Sequence, residues 1–458
     1  MIHDVVIIGG GIVGAGVFRD LALHGLDVLL IEKGDFASQT SQGSSKMLHG
    51  GVRYLENFDF GLVQEALEEK NLWLKLAPHL AVEKEFHLPV YAGSKWPLPF
   101  VRLGLFLYDM LSHFQNRPAG HTNPEQTLAR FPQLNPRGLT GAGTYHDGVV
   151  DDHKLALECI WDGEVEPRAR ALSHTEVLAI RPGPVVELDV RERIGGATHT
   201  VRARHVVFAT GPFTDHLMAT WGLPWDPVLL PSKGVHLWVR PEALTLHGPL
   251  LLPTPDNRVV FVIPQRGAIL VGTTETPVEE EMFDIKATPG DVEYLLGVLA
   301  DYFPGARVGH QHIISTFAAV RPLVREPGAD RGKTSRLHRV FRPAANMHAL
   351  LGGKYTTFRR MAQDVCREVV PRFRVAYNPN LTLNALRRPS IVGTFQNQEV
   401  DEAALERIIL TERPRSMEDL IHRRLSWLRD WREYDQVAGR PRAYWEERMN
   451  ETRPSDIP

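Results

Sequence analysis

The chain has 458 residues, of which 43% are hydrophobic and 23% charged, and its formal net charge is −3. This length exceeds one compact core, so two or three domains are expected, and the slightly acidic balance argues against nucleic-acid binding. Two cysteines exclude a disulfide scaffold and favour a reducing compartment. No apolar run reaches the roughly 18 residues of a membrane helix, and no basic leader precedes the first apolar run, so we expect the N-terminal residues to belong to the fold. No metal site is predicted.

The first predicted unit, residues 4–35, is a strand, a glycine-rich turn, a helix and a second strand. The apolar run at 5–8 is typical of a strand buried on both faces. Apolar and small residues at helical spacing then run to Gly25, a plausible helix C-cap. The segment DVLLIE at 27–32 predicts a second buried strand.

Gly9, Gly11 and Gly14 between the first strand and the helix have the spacing G-x-G-x-x-G. In a dinucleotide site the first permits a tight turn, the second lets the backbone approach a pyrophosphate, and the third lets the helix pack close to the sheet. Glu32 ends the second strand, where a carboxylate binds the adenosine ribose. The glycines alone are a weak signal. Strand, glycines, helix, strand and acid together predict a dinucleotide site without deciding between FAD and NAD.

A small polar run, SQTSQGSSKM, precedes the stretch HGGVRYLE at residues 49–56. The stretch combines backbone freedom at Gly50 with an imidazole, a cation and a ring at His49, Arg53 and Tyr54. Taken alone, it fits a binding loop and a helix N-terminus with a structural histidine and a surface arginine about equally well.

Residues 94–114 are apolar and aromatic, interrupted by Arg102 and Asp109. Such a segment forms either a core helix or an amphipathic helix that rests on a bilayer interface. Base rates favour the core helix.

The middle of the chain predicts strands. The apolar segment 205–213 indicates a buried strand that ends near Gly211. The segment KGVHLWV at 233–239 alternates, so His236 lies on the face opposite Val235 and Leu237. A hairpin is predicted over 258–275.

Two later segments contain residues that could lie at a binding site. In 315–326, Arg321 precedes a proline, which favours an extended backbone there. In 349–363, an apolar strand is followed by Gly352, Gly353 and a helix. A helix starting at this glycine pair could direct a second dipole end at a cofactor, although an ordinary strand–turn–helix connection is the simpler interpretation.

The motifs IGGGIVGAG, SSKMLHGGVRYLE, KGVHLWV, GTTE, AAVRPL and GGKYTTFR follow one another between residue 4 and about residue 362. In this order they resemble the FAD-dependent glycerol-3-phosphate dehydrogenases of the aerobic, quinone-linked type. The chain departs from the family pattern at Phe18, His24 and Phe358, where the changes look like packing, and at Glu275, where the family has aspartate.

The resemblance implies an α/β plus α+β fold in which a Rossmann-type FAD domain is interleaved with an antiparallel-sheet substrate domain, as in D-amino-acid oxidase, followed by a short helical C-terminal region. The expected segments are 1–90, 140–230 and 340–385 for the FAD domain, 91–139 and 231–339 for the substrate domain, and 386–458 for the shortened C-terminal region.

The resemblance also implies oxidation of sn-glycerol 3-phosphate to dihydroxyacetone phosphate, with hydride passing from C2 to N5 of a non-covalently bound FAD and electrons passing to a quinone. A cytoplasmic protein, peripheral on the cytoplasmic face of the membrane and able to form a homodimer, is expected.

By the same resemblance, Arg321 and then Lys354 are expected at the phosphate, and His49 or His236 is expected to act as the base. Arg336 is either near the phosphate or a solvated loop cation. The catalytic residues implied are His49, Arg53, His236 and Arg321. The substrate-binding residues implied are Arg53, Tyr54, Arg321, Arg336 and Lys354. The FAD-binding residues implied are Gly9, Gly11, Gly14, Glu32, Lys33, Ser44, Ser45, Lys46, Gly50, Gly211, Gly352, Gly353 and Lys354.

Three alternatives stay open on sequence. One is a glycerol-3-phosphate oxidase that uses O2, and another is a related FAD-dependent 2-hydroxyacid or amine oxidoreductase. The third is a non-catalytic FAD-binding regulatory protein, which would not need a cluster of cations and imidazoles.

Overall fold

The computed structural model describes residues 1–265, 267–278, 282–325, 337–391, 401–425 and 442–451. Arg336 lies outside these residues. Within them the helices are α1 Ile12–Leu23, α2 Phe60–Leu76, α3 Leu98–Leu111, α4 Pro124–Arg130, α5 Asp152–Gly163, α6 Thr214–Thr220, α7 Pro289–Tyr302, α8 Phe358–Val369, α9 Glu402–Glu412, α10 Met417–Asp419 and α11 Arg442–Glu451.

The first sheet has eight strands in the part of the chain that the structure describes. They are β1 Ile2–Ile8, β2 Val28–Ile31, β7 Ala169–Leu172, β8 Thr175–Arg181, β9 Val186–Glu192, β10 Thr198–Phe208, β17 His338–Ala344 and β18 Met347–Gly352. The central path runs β17-β18-β10-β1-β2-β7, and β1 pairs in parallel with both β10 and β2.

Successive side chains of β1 pack into two different hydrophobic cores, as expected of a strand buried on both faces. Val5 and Ile7 pack with α1, α5 and α8 in one cluster. Val6 and Ile8 pack with Met218 and other residues on the opposite side of the sheet. This arrangement confirms the predicted strand–turn–helix–strand unit and the parallel sheet that it builds.

The second sheet has ten strands among the described residues and is mostly antiparallel. They are β3 Met47–Leu48, β4 Ala81–Tyr91, β5 Gly120–Thr122, β6 Leu139–Val150, β11 Leu229–Val239, β12 Leu250–Pro253, β13 Val259–Gln265, β14 Ala268–Gly272, β15 Thr276–Pro277 and β16 Ile313–Val324.

Strand β11 shows the alternation that the sequence predicts. Leu237 and Val239 pack with α7 on one face of the sheet. Trp238 packs on the other face with residues of α2 and α3, including Tyr108. The predicted hairpin is also present, since β13 and β14 pair with Gln265 opposite Ala268.

The two sheets are interleaved along the chain, which confirms the predicted architecture. The predicted domain boundaries remain a prediction. Strands β4 and β6 fall mainly within the segments predicted for the FAD domain, yet they pair with each other in the second sheet. Their side chains face that sheet's core, as Phe86 and Tyr145 show.

The described C-terminal residues build a small core of their own, in which Leu405, Leu420 and Trp445 are fully buried. No helix in the described ranges has the length and apolar character needed to cross a membrane. Cys159 and Cys366 are both buried and unbridged, as expected from their small number.

Candidate active site

A cavity of about 560 Å³ lies between the two sheets. The first sheet contributes the turn after β1, the end of β2 and the residues after β18. The second sheet contributes β11 and β16. Residues that matter for the chemistry below are Gly9, Glu32, His49, His236, Arg321 and Lys354, all of which line this one cavity.

The glycine-rich turn has the geometry that its spacing predicts. Gly9 has a φ of +107°, which side chains other than hydrogen rarely adopt, and a Cβ there would lie 2.5 Å from the Ala209 carbonyl oxygen. A Cβ on Gly14 would lie 1.8 Å from the Gly9 carbonyl oxygen. Gly14 therefore brings α1 against the turn without itself lining the cavity.

Glu32 closes one end of the cavity. Its carboxylate accepts hydrogen bonds from the Gly10 nitrogen at 2.7 Å and the Gly34 nitrogen at 2.8 Å. Desolvation raises the pKa of this carboxyl, and the two N–H donors oppose the rise. Each carboxylate oxygen keeps acceptor capacity for a further donor such as a ribose hydroxyl.

The polar run after β2 forms one wall of the cavity. Ser41 Oγ accepts from the nitrogen of Ile12 at 2.8 Å, which satisfies an N–H group in the first turn of α1. Thr40 Oγ1 donates to the Val320 carbonyl oxygen at 2.7 Å and so joins this wall to β16 of the second sheet. Ser44 donates to Asp152 at 2.6 Å.

His236 lies at the centre of β11 and is 2% exposed. Its Nε2 is 2.9 Å from Ser45 Oγ, and its ring stacks on Phe317 with centroids 4.9 Å apart. Burial, followed by the charges of Arg321 and Lys46, lowers the pKa of His236 well below its usual value. The imidazole is therefore neutral at physiological pH, and its surroundings disfavour its protonation.

Arg321 on β16 reaches the cavity from the side of His236. Its Nη2 donates to Thr273 Oγ1 at 2.8 Å and to the Thr274 carbonyl oxygen at 3.3 Å. Gly234 provides the space, because a Cβ there would lie 2.4 Å from that Nη2. The guanidinium is thus held in one orientation at the cavity wall.

Lys354 approaches from the first sheet and is 9% exposed. Its Nζ lies 3.9 Å from the ring centroid of Tyr54, a cation–π contact that fixes both side chains. His49 lies nearby, and its backbone nitrogen donates to Thr356 Oγ1 at 3.1 Å. The structure thus brings His49, Tyr54 and Lys354 together at the same end of the cavity.

A buried network behind this loop was not foreseen from the sequence. The Gly50 nitrogen donates to the Tyr108 hydroxyl at 2.9 Å, and that hydroxyl donates to the Asp147 carboxylate at 2.8 Å. Burial raises the pKa of Asp147 to about 6, and the charge of Lys70, whose Nζ is 3.9 Å away, opposes the rise. A Cβ on Gly50 would lie 2.5 Å from Leu67. The glycine therefore serves this packing rather than lining the cavity.

The cavity contains most of the residues that the sequence suggests for binding. Those that line it are Gly9, Gly11, Glu32, Lys33, Ser44, Ser45, His49, Tyr54, Gly211, His236, Arg321, Gly352, Gly353 and Lys354. Gly14, Lys46, Gly50 and Arg53 do not line it.

Two of these placements have a clear physical reason. Arg53 is exposed, and its Nη2 donates to the Asn257 carbonyl oxygen at 2.5 Å. Lys46 is buried in an ion pair with Asp152, with its Nζ 2.6 Å from the carboxylate.

The glycine pair Gly352 and Gly353 does not open a helix directly, because α8 begins only at Phe358.

Comparison with known proteins identifies the family. A family model described as FAD dependent oxidoreductase matches residues 4–354. The chain belongs to this family of FAD-dependent oxidoreductases. Its cofactor is FAD, as the resemblance in the sequence implied.

The most similar relatives carry one kind of name. The chain is 38% identical over 391 residues to glycerol-3-phosphate dehydrogenase 2 of Mycobacterium tuberculosis, with 83% of this chain and 65% of the relative covered. It is 32% identical over 400 residues to the glycerol-3-phosphate dehydrogenase of a Synechocystis strain, with 83% and 72% covered. This chain therefore spans somewhat under two thirds of the length of the mycobacterial relative.

The fold matches a solved structure over nearly its whole length. The crystal structure of the glycerol-3-phosphate dehydrogenase from Bacillus halodurans complexed with FAD superposes with a TM-score of 0.75. The match covers 98% of this chain and 93% of the other at 23% identity. At that identity the likeness establishes the shared fold.

The residues around the cavity fit FAD. The turn at Gly9 and Gly11 opens the N-terminus of α1, which is suited to a pyrophosphate, and the Glu32 carboxylate can accept from ribose hydroxyls. Gly352 and Gly353, at φ of +79° and +76°, expose backbone at the opposite wall. A volume of about 560 Å³ lies within the range of cofactor pockets.

Proposed function

We propose that the chain oxidises sn-glycerol 3-phosphate to dihydroxyacetone phosphate. The observation that carries the proposal is the convergence of Arg321, Lys354 and the neutral His236 on the cavity that contains the FAD-binding turn. A regulatory FAD-binding protein has no need of two cations and a neutral imidazole at this position.

The cations suit the phosphate of the substrate. Arg321 presents a planar guanidinium whose orientation is fixed at Thr273, and Lys354 adds a second positive charge on the facing wall. Arg321 is half-buried and Lys354 is buried, so a phosphate dianion bound by both would gain charge-assisted hydrogen bonds that are partly shielded from water. A 2-hydroxyacid or an amine would use these two cations less well.

The imidazoles suit the secondary alcohol. FAD, when bound, supplies the two-electron acceptor for oxidation of this alcohol. His236 is one candidate base for the hydroxyl proton, with its Nε2 held at Ser45. Burial and two nearby cations keep it neutral but also weaken it as a base, and the negative charge of a bound phosphate would oppose the effect of those cations. His49, whose backbone is fixed at Thr356, is the second candidate base.

A quinone is the proposed electron acceptor, which calls for contact with a membrane. Helix α3 supports such contact, because large apolar side chains cover its outer face while Leu105, Tyr108 and Asp109 are buried on its inner face. The exposed side chains on and beside it are Trp96, Phe100, Leu103, Phe106, Met110 and Phe114, with exposed fractions of 42% to 64%. We propose that this face lies on the cytoplasmic surface of a bilayer, as amphipathic helices do. A homodimer is compatible with this arrangement.

The function is tested by the flavin itself. Anaerobic addition of glycerol 3-phosphate to the purified holoprotein should bleach the flavin absorption, whereas glycerol and a 2-hydroxyacid at equal concentration should not. Product should be dihydroxyacetone phosphate in one-to-one ratio with reduced flavin. A flavin that stays oxidised with glycerol 3-phosphate would refute the proposal.

The acceptor is tested separately, because an oxidase shares the first half of the reaction. We expect the reduced protein to reoxidise faster with a soluble quinone analogue than with air-saturated buffer, and to form little peroxide. Stoichiometric peroxide with no quinone dependence would assign the alternative, a glycerol-3-phosphate oxidase.

A further inference from the structure

Two buried arginines connect the C-terminal segment 413–425 to the wall of the FAD cavity. Arg423 and Arg424 are 2% and 1% exposed. Both guanidinium groups donate to the carboxylate of Asp35, with Arg424 Nη2 at 3.2 Å from Oδ1. Asp35 lies three positions beyond Glu32 and three positions before the polar run 38–47, part of which lines the cavity.

A second set of contacts reinforces the first. The Asp419 carboxylate accepts from Arg423 Nη2 at 2.7 Å and lies 2.9 Å from His174 Nε2. The nitrogen of His174 in turn donates to the Gly34 carbonyl oxygen at 2.7 Å. Gly34 and Glu32 are thus held from the same side as Asp35. Because guanidinium groups already bind both carboxylates, this cluster is an ion-pair network rather than a metal site.

The polar run depends on this network for its shape. Ala37 and Ser38 line the cavity just after Asp35, and the Ala37 nitrogen donates to the Gly10 carbonyl oxygen at 2.9 Å. Arg423 Nη1 also reaches Gln42 Oε1 at 3.4 Å. An unpaired carboxylate is costly at a site this buried, so loss of the arginines would leave Asp35 to move toward water and take the wall with it.

We propose that segment 413–425 is a clamp for FAD, in which Arg423 and Arg424 are positioning residues that hold the cavity wall in its binding shape. The clamp contacts the wall from behind, so it acts on cofactor retention and not on the chemistry of the substrate. The inference rests on the FAD site and stands whichever substrate and electron acceptor the protein uses.

The test compares FAD release from purified holoprotein variants, followed by the rise of free-flavin fluorescence after dilution. Arg424→Gln and Asp35→Asn should each release FAD on the order of tenfold to a hundredfold faster than the parent, as expected for loss of a charge-assisted contact. Arg413→Ala is the matched control. Arg413 lies on the same segment, but it binds Glu164, which is not part of the cavity wall. It should release FAD at the parental rate. Equal release from all three variants and the parent would overturn the proposal.

A second measurement needs no variant and so does not depend on folding. Because coupling between two sites is reciprocal, FAD must stabilise the clamp as much as the clamp stabilises FAD binding. Trypsin cleavage at Arg415 and Arg423 should therefore slow when FAD is added to the FAD-depleted full chain. Cleavage there at the same rate with and without FAD would also overturn the proposal.

Discussion

Arg321 and Lys354 differ in how their charges are held, and the difference matters for what each can bind. The Arg321 guanidinium is fixed by two oxygens of Thr273 and Thr274, so its remaining donors have a defined direction. The Lys354 ammonium sits on the Tyr54 ring, a contact that supplies no oxygen ligand. In the proposed complex, arginine would therefore supply directional contacts to the phosphate, and lysine would supply mainly charge.

Replacing Arg321 by alanine tests the phosphate site. Loss of a charge-assisted contact costs about 1.5–3 kcal/mol, or roughly one to two decades in kcat/KM for glycerol 3-phosphate. The activity toward unphosphorylated glycerol, if measurable, should change little. Arg325→Ala, an exposed arginine just beyond the end of the same strand, is the control and should be near parental. Equal losses on both substrates would remove Arg321 from the phosphate site.

Sequence reasoning selected many of the side chains that line the cavity but not the residues packed behind them. The strand face of His236 was predictable because alternation places it opposite Leu237, whereas its selection as a site residue came from the family resemblance. Gly9 was predictable because its spacing implies a turn. The Tyr108–Asp147 pair was not, since these residues come from separate elements and carry no local pattern. The exposed position of Arg53 was not predictable either, because its contact with Asn257 joins segments that are far apart in the chain.

A buried histidine pair in the first sheet predicts acid sensitivity. His205 Nε2 lies 2.8 Å from His348 Nδ1, and burial, then the charges of His348 and Arg372, lower the pKa of His205 to about 3. In the unfolded chain the same histidine has its ordinary pKa, near 6.5. The unfolded chain therefore binds more protons than the folded state between these values, so stability present above 6.5 is lost as the pH falls. One such group costs about 2 kcal/mol between pH 7 and pH 5.

His205→Gln, which keeps a hydrogen-bonding group but does not titrate, should flatten the fall in unfolding free energy between pH 7 and pH 5. Urea unfolding at the two pH values measures it. His310→Gln, in which an exposed histidine is changed, is the control and should retain the parental pH dependence. A parental dependence in His205→Gln as well would show that other groups cause the acid loss.

At the scale of elements, helix α3 holds the loop that carries His49 and Tyr54. Tyr108 on its inner face accepts from the Gly50 nitrogen and donates to Asp147. The prediction of a core helix for residues 94–114 is therefore right for one face only, and the other face is the exposed apolar surface. An amphipathic pattern gives the two faces but does not say what covers the outer one.

Tyr108→Phe should loosen the loop more than it destabilises the fold. It removes the hydroxyl that accepts from the Gly50 N–H and donates to the Asp147 carboxylate, at a cost of about 1–3 kcal/mol. We expect a lower Tm together with a several-fold rise in KM for glycerol 3-phosphate. Tyr91→Phe is the control, because the Tyr91 hydroxyl donates to Asn135 away from the cavity. It should lower the Tm without changing KM. An unchanged KM in Tyr108→Phe would show that the network does not position the loop.

The outer face of α3 is tested with lipid vesicles. Burial of a large apolar side chain contributes about 1.5–3 kcal/mol, so replacing Phe100, Leu103 and Phe106 together by serine should reduce vesicle binding by at least about a hundredfold. Val165→Ser and Leu178→Ser change exposed apolar residues elsewhere and should bind as the parent does. Flavin reduction by glycerol 3-phosphate should stay parental in the triple variant. Co-sedimentation of the triple variant to the parental extent would show that this face does not contact lipid.

At the scale of the molecule, the cavity exists because the chain passes repeatedly between two sheets. Leu229, Val324 and Leu351 form a small cluster that joins β11 and β16 to β18. Arg359 on α8 pairs with Glu69 on α2 across the same boundary. The interleaving was predicted through the resemblance to a known family, which the motifs carried. The positions of β4 and β6 were not predictable, because pairing partners in a sheet are not encoded locally.

Since both sheets line the cavity, FAD should stabilise both and not the dinucleotide-binding sheet alone. Free FAD at about a hundredfold over its Kd adds about 2.7 kcal/mol to the folded state. Amides of Leu30 and Ile31 in β2 and of Gly234–His236 in β11 should then exchange more slowly by up to about a hundredfold. Helix α7, no described residue of which lines the cavity, is the internal control and should be protected least. Hydrogen exchange with mass spectrometry of the FAD-depleted and FAD-loaded chain measures all three. Protection confined to β2 would show that FAD does not stabilise the second sheet.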